Sequence, residues 1–266
     1  MNATCPLCDA DAAKGAPSIP GRVKCECGMV YQARSSRVEL DGGCWDRLDY
    51  AGDTRTEWAY GVRRQKARER LVAKMTCLIG PGRWLDIGCG PGDLLAAAAT
   101  AGWETAGIDL SRRAVELAKE RGISVTCGRF PDDLSAGVYD VISLIYALEY
   151  FEDPKSLVRE CLHRLKPSGA LLLQLKNFAF WRVAERFFRD SSGTWCPADI
   201  RSYSPDTAGR LLRLGGFGWP QVLPAELPGR AVANACLGFL SSVSGLVLSP
   251  SFTAIARHPG GNSLPV

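Results

Sequence analysis

Apolar and charged positions alternate along this chain with two different periods. From Glu57 to Ile79, the residues Trp58, Val62, Leu71, Val72 and Met75 make an apolar stripe between many charges, the spacing of one helical face. Gly80-Pro81-Gly82 ends that helix. From Arg83 onward, short apolar runs alternate with amphipathic stretches. The runs predict strands over Arg83–Ile87, Glu104–Asp109, Ser124–Cys127, Tyr139–Ile145 and Ala170–Lys176, with a last strand over Phe252–Arg257. The stretches predict helices over Asp93–Ala101, Arg112–Arg121, Pro154–Leu165 and Pro205–Leu214, with Ser111 placed to cap the second. Pro167-Ser168-Gly169 reads as the turn into the fifth strand. Such alternation predicts an α/β fold on a doubly wound parallel sheet. Phe178 to Asp199 interrupts it with an aromatic-rich helix carrying Phe180, Trp181, Ala184, Phe187 and Phe188.

The rest of the chain changes this picture in two places. Met1 to about Ser36 is rich in Gly, Pro, Lys and Arg and is too short to bury a core, so it needs a metal staple. Four of the eleven cysteines sit there, as Cys5-Pro-Leu-Cys8 and Cys25-Glu-Cys27. The other seven are scattered, and an odd total suits a reduced, cytoplasmic protein. Met1 to Lys24 lacks the apolar segment of a signal peptide. The uncharged run Ala231 to Ala256 contains Asn234, Pro250 and five serines, so a membrane span is not expected there. A net charge of +4 and 46% hydrophobic residues describe a globular protein with a core and no strong electrostatic footprint.

The run Trp84-Leu-Asp-Ile-Gly-Cys-Gly-Pro-Gly-Asp-Leu-Leu95 carries the chemistry. It reads as a buried strand, a glycine turn and a helix start, a turn that lets backbone approach a ligand closely. A dinucleotide fingerprint has glycines at its first, third and sixth positions, but here the sixth is Asp93 and the third glycine is Gly92. Asp86, inside the strand, would repel a pyrophosphate and attract a cation. S-adenosylmethionine (SAM) has a sulfonium and an ammonium and no phosphate, so the run favours SAM. Asp109 ends the next strand, where an acidic residue accepts from ribose hydroxyls; capping the following helix is the alternative role.

With these residues in view, Trp84–Leu95, Gly107–Ser111, Tyr139–Pro154 and Leu165–Leu175 resemble the motifs of class I SAM-dependent methyltransferases. The resemblance covers roughly Arg83 to Arg257. It implies that Gly88, Cys89 and Gly90 hold the methionine part, with Asp86 near its amino group, and that Asp109 and Leu110 bind the ribose. It implies that Arg129 and Phe130 flank the adenine and that Leu144 and Ile145 line the pocket. Ala147-Leu-Glu-Tyr-Phe-Glu-Asp-Pro154, and Asn177 through Trp195 to Tyr203-Ser-Pro205, are similar to a bacterial subgroup's "LEHxxDP" and "PN…W…PRHLYHFSP" segments. The subgroup's histidines are Tyr150, Asp199 and Ser202 here, and its Pro before Asn is Lys176. The two histidines present, His163 and His258, fall on a charged helix and after the last strand, which are surface settings.

Methyl transfer from a sulfonium depends on alignment, and a base is needed only where the acceptor must lose a proton. Asp199, Tyr203, Tyr146 and Glu149 are the candidates for that catalytic role. The tyrosines could equally wall the pocket, and Asp199 could cap a turn. Cys5, Cys8, Cys25 and Cys27 suit tetrahedral, structural zinc, with free thiols as the alternative. The unit resembles zinc ribbons ending "CxxCGxxY", with Gly28 and Tyr31 matching. The chain thus divides into a zinc-ribbon-like unit at 1–36, a connector and helix at 37–79, a methyltransferase domain at 80–258 with an insertion or substrate lid at 178–204, and a tail at 259–266.

The expected function is methyl transfer from SAM to an O, N or C nucleophile of a small molecule, with sugar-linked, lipid-linked or natural-product acceptors suggested by the resemblance. The alternatives are an RNA methyltransferase and a SAM-binding regulator without catalysis. The mild charge and the lack of a basic stripe count against a nucleic-acid partner. Monomer and homodimer both remain open. The Ala231–Leu248 run reads as core or dimer contact, with interfacial membrane contact as the other reading.

Overall fold

The structure, a computed structural model, describes residues 4–11, 16–19, 22–32, 54–184, 200–225, 235–236, 239–241 and 246–260. Phe187, Phe188, Trp195 and Asp199 lie outside these residues, as do all of 37–53 and much of the Ala231–Leu248 run. Three short strands come first: β1 (Ala16–Ile19), β2 (Arg22–Lys24) and β3 (Val30–Gln32). A long helix, α1 (Thr54–Ile79), leads into β4 (Arg83–Ile87), α2 (Asp93–Thr100), β5 (Glu104–Asp109), α3 (Arg112–Glu120), β6 (Val125–Cys127) and β7 (Tyr139–Ile145). A 3-10 turn at Leu148–Tyr150 follows, then α4 (Pro154–His163), β8 (Leu165–Lys176), α5 (Phe178–Ala184), β9 (Arg201–Ser202), α6 (Pro205–Leu214), β10 (Gln221–Pro224) and β11 (Ser251–Arg257).

The larger sheet has seven strands in the order β10-β11-β8-β7-β4-β5-β6. From β8 to β6 neighbours are parallel; α2, α3 and α4 make the crossings β4–β5, β5–β6 and β7–β8, and the chain passes from β6 to β7 through turns at 128–138. The doubly wound parallel sheet is present as expected, and its far edge adds two antiparallel strands. Ser251–Arg257 runs antiparallel to β8, and β10, which the sequence reading missed, pairs antiparallel outside it. The expected turn at Pro167-Ser168-Gly169 is also absorbed into a strand. Tyr139 pairs with Leu165 and Val141 with Ala170, so the intervening residues bulge out of β8. Glycine is needed there, since a Cβ on Gly169 would lie 2.9 Å from the Asp140 carbonyl oxygen.

Alternation along β4 splits the core between two faces. Leu85 and Ile87 join Ile108 and Leu144 against Leu157 and Val158 of α4 and Leu211 and Leu212 of α6. Trp84 points the other way, among Val72 and Met75 of α1, Leu94 and Leu95 of α2, and Val115 of α3. It packs edge-on to Trp103, ring centroids 5.0 Å apart. Ser111 caps its helix as expected, its Oγ accepting from the Ala114 amide, and the structure adds a capping box of Ser204 and Thr207 on α6.

A second sheet has the order β1-β2-β3-β9, all antiparallel. The N-terminal hairpin is completed by residues from the far end of the chain. Its apolar residues Leu7, Met29 and Tyr31 belong to the same buried cluster as Leu144, Leu148 and Tyr203. This sharing agrees with the expectation that the unit cannot bury a core alone.

At the end of β8, Asn177 ties the last segment down. Its amide nitrogen donates to the carbonyls of Val247 (2.9 Å) and Ser249 (3.0 Å), and its oxygen accepts from the Phe180 amide at the start of α5. Asn177→Ala leaves these buried groups without partners, at a cost of about 2–4 kcal/mol. Thermal unfolding of the variant should show a midpoint lowered by roughly 5–10 °C. A shift of under about 1 °C would show that the 247–250 segment is held by something else.

Candidate active site

Strand order reverses between β4 and β7, and ligands of open α/β sheets bind at the carboxyl ends of strands at such a switch point. The glycine turn leaves β4 there. Gly88 is exposed, has φ +71°, and donates from its amide to the Ile108 carbonyl at 2.8 Å. A Cβ on Gly88 would lie 2.8 Å from Ala147 Cβ, so the turn and the segment after β7 approach each other where only glycine fits. Asp109, at the end of β5, anchors the same turn: one carboxylate oxygen accepts from the Gly90 amide and the other from the Ser111 amide, both at 2.8 Å. These two bonds fix the carboxylate at the mouth of the turn. Gly92, with φ +77°, starts α2.

Beneath the turn, β4 and β7 are joined by a buried chain of hydrogen bonds. Trp84 Nε1 donates to Ser143 Oγ at 2.8 Å, and Ser143 Oγ donates to Asp86 Oδ1 at 2.6 Å. Burial pushes the Asp86 carboxyl up to about 7, against the opposing pull of Ser143 and of the Arg68 guanidinium. Arg68, on α1, also pairs with Asp93, which Arg121 holds from α3 at 2.5 Å. These ion pairs keep the Asp93 carboxyl charged against its burial. Arg68 was not singled out from the sequence. Its signal, one arginine among many on a charged helix, is visible only once α1 is placed over the turn.

The segment after β7 holds the acceptor-side candidates. Tyr146 has φ +55°, in the left-handed region that non-glycine residues rarely adopt, and is 37% exposed. Its amide donates to the Gln174 carbonyl on β8 at 2.8 Å, which helps hold the strained backbone. Glu149 and Tyr203 lie deeper, 2% and 1% exposed. Glu149 Oε1 accepts from the Lys176 amide at 3.2 Å. Burial pushes the Tyr203 hydroxyl well above its ordinary range, with Arg201 opposing and Glu149 adding to the shift. The Tyr203 hydroxyl and Arg201 Nε are buried with no hydrogen-bond partner among the described residues. Arg201 is a second residue the sequence reading passed over. Asp199 lies outside the described residues.

The remaining candidates fall around the same edge. Leu144 is buried in the core, Ile145 half-buried and Leu110 half-buried beside Asp109. Cys89 is buried, which pushes its thiol up. Arg129 is exposed, its amide bonded to Asp133, while Phe130 is buried under the Arg164 guanidinium. His163 is exposed on α4 and His258 accepts on Nδ1 from the Gly260 amide, both away from the turn. The turn thus has the Asp109 carboxylate at its mouth and the buried Asp86 carboxyl beneath it, a setting that disfavours a phosphate.

The four N-terminal cysteines come together. All four sulfurs lie within 4.8 Å of one another, with Cys5–Cys27 at 3.6 Å and Cys8–Cys25 at 3.4 Å. A tetrahedral zinc–thiolate site has sulfurs about 3.8 Å apart, given Zn–S bonds of about 2.3 Å. The donor set therefore fits one zinc ion with four protein ligands.

The family described as "Methyltransferase domain" matches residues 52–217. Over 103 residues the chain is 37% identical to the ubiquinone biosynthesis O-methyltransferase of Bordetella avium (strain 197N), a stretch covering 36% of this chain and 43% of that protein. The chain therefore spans less than half the length of this relative. A SAM-dependent methyltransferase structure from Archaeoglobus fulgidus aligns with a TM-score of 0.53 at 19% identity, over 74% of this chain and 99% of that one. The magnesium protoporphyrin IX methyltransferase of Synechocystis PCC 6803, solved with bound SAH, aligns with a TM-score of 0.53 at 16% identity, over 74% and 84%. At these identities the structural likeness shows a shared fold.

The buried Asp86 makes stability depend on pH. Its raised pKa means the folded chain keeps a proton that the unfolded chain has lost, from about pH 4 up to about 7. Stability from this group is therefore lost as pH rises through that window, by a few kcal/mol at most. Asp86→Asn should remove the loss. Urea unfolding at pH 5 and pH 8 should show the wild type weakening relative to the variant by about 2–3 kcal/mol at the higher pH. Equal pH dependence in the two proteins would mean that Asp86 is charged throughout.

Proposed function

The chain belongs to the family of SAM-dependent methyltransferases, and from that premise we propose that it methylates a hydroxyl oxygen of a small-molecule acceptor. The observation that carries the choice of oxygen is the 37% identity to a ubiquinone biosynthesis O-methyltransferase. The strained, exposed Tyr146 beside the glycine turn supports an acceptor site on the same edge.

SAM supplies a methyl group already activated on a sulfonium. The glycine turn at Gly88–Gly90 admits the methionine part, Asp86 and Asp109 complement its ammonium and the ribose hydroxyls, and Arg129 and Phe130 border the adenine. Much of the acceleration then comes from alignment of the acceptor. As the new O–C bond forms and the S–C bond breaks, the acceptor hydroxyl gives up its proton. Neither histidine is near this edge, so the chain uses a different group or water. Asp199, two residues before Arg201, is our candidate for the residue that orients or deprotonates the acceptor. Tyr146 faces the acceptor, and the buried Glu149 and Tyr203 act as positioning residues beneath it.

We further propose that Cys5, Cys8, Cys25 and Cys27 hold one structural zinc. A site with four thiolates keeps no open coordination position, so the ion folds the unit and takes no part in the chemistry.

The test is turnover. Purified protein with SAM and a panel of phenols and catechols should form SAH and an O-methyl product identified by mass spectrometry. Asp199→Asn should cut kcat by about 10²-fold or more while SAH binding is kept. Near-normal turnover by that variant would remove Asp199 from the mechanism. Product bearing the methyl on nitrogen or carbon would overturn the choice of oxygen.

A further inference from the structure

The short strand β9 has an unusual place in the fold. It lies in the stretch between α5 and α6, yet it takes no part in the seven-stranded sheet; its strand partner is β3 of the four-cysteine unit. Tyr31 pairs with Arg201 and Val30 with Ser202, and the Gln32 amide donates to the Ile200 carbonyl at 3.1 Å. The buried Arg22 adds a side-chain bond, Nη1 donating to Ser202 Oγ at 2.8 Å. Arg210 of α6 donates to the Cys27 carbonyl, and Lys155 of α4 pairs with Asp9 at 2.6 Å. The hairpin that leads into β3 is the cysteine loop itself: the Cys25 amide donates to the Met29 carbonyl at 2.8 Å and the Gly28 amide to the Cys25 carbonyl at 2.9 Å.

On its other side β9 leads into the acceptor edge. Arg201 Nη2 donates to the Glu152 carbonyl at 2.5 Å, just past the 3-10 turn that carries Glu149. Tyr203 follows β9 at once, is buried with its hydroxyl unpartnered among the described residues, and has Glu149 and Arg201 as its charged neighbours. Its carbonyl accepts from the Phe178 amide at 2.8 Å, which joins it to α5. The elements of the cofactor side are held differently. The Gly88 amide donates to the Ile108 carbonyl, and the Asp109 carboxylate accepts from the Gly90 and Ser111 amides.

From this arrangement we propose that the zinc-loaded cysteine unit is the positioning element of the acceptor site: it supplies the strand that holds β9, and through β9 it sets Arg201 and Tyr203 against the turn that carries Glu149. This rests on the methyltransferase reading above. Three strands of three or four residues cannot hold together without help, so the unit and its metal order as one. Metal removal therefore releases β9 and loosens the acceptor edge, while the glycine turn keeps its own bonds and its affinity for cofactor.

The experiment uses the whole chain, purified from zinc-supplemented growth and analysed for metal. Zinc should be found at close to one per chain. Removal with a chelator should speed amide hydrogen exchange in peptides covering 30–32 and 200–203 by at least about tenfold, with exchange in 86–92 unchanged. SAH affinity by calorimetry should stay within about threefold. Since stripping four ligands could unfold the chain, Arg22→Ala provides a second reading: it keeps all four thiols and should retain zinc and SAH affinity while raising exchange at 200–203. With an accepted phenol, both changes should raise the acceptor KM more than they lower kcat. Unchanged exchange at 200–203 after metal removal, parallel loss of SAH affinity, or well under one zinc per chain would each overturn the proposal. Failure of the intact protein to methylate any phenol counts against the function above, and the exchange and SAH results still decide this inference.

Discussion

A carboxyl group in the middle of the central strand is the constraint around which this protein is arranged. Asp86 occupies a position where alternation puts Trp84 in the core, so its side chain enters the protein and not the solvent. Burying it uncompensated would be costly. The compensation is Ser143 on the neighbouring strand, which accepts from Trp84 and donates to Asp86. One hydroxyl thereby fixes the register of β4 against β7 at the place where the sheet changes winding direction. The glycine turn begins two residues later, so its position inherits that register.

The two sides of the site then rest on different supports. The cofactor side is built from neighbouring strands and a staple between Asp109 and the Gly90 amide. It is local, and it draws on the most regular part of the fold. The proposed acceptor side depends on a strained residue at the end of β7, a buried layer of Glu149, Tyr203 and Arg201, and a strand paired to the N-terminal hairpin. On the proposed function, methyl-donor binding is thus placed on the regular sheet, and acceptor choice on the segments packed against it.

Legibility in the sequence follows the same division. The strands Arg83–Ile87, Glu104–Asp109 and Tyr139–Ile145 are found at the same bounds by pattern and by structure, because each is a short, mostly buried stretch set between glycines, turns and amphipathic helices. The Ser111 cap and the clustering of the four cysteines were equally readable, each from residue type and spacing. The bulge at 167–169 was not, since Pro-Ser-Gly reads as a turn unless the partner strand is known. Nor was β9: two residues have no period, and Arg201–Ser202 becomes a strand only because β3 lies beside it. Arg68 and Arg201 share this character. Their roles come from what they face across the fold, and a single sequence carries no trace of that.

The pairing of β3 with β9 also says something about how the molecule comes into being. Arg22 and its partner Ser202 are separated by 180 residues of chain. The hairpin therefore waits, its fourth strand missing, until those 180 residues have been made. Contacts that close so large a loop form late and slowly. During that wait the zinc proposed for the four cysteines would let the N-terminal unit keep its shape, ready to receive the strand when it arrives.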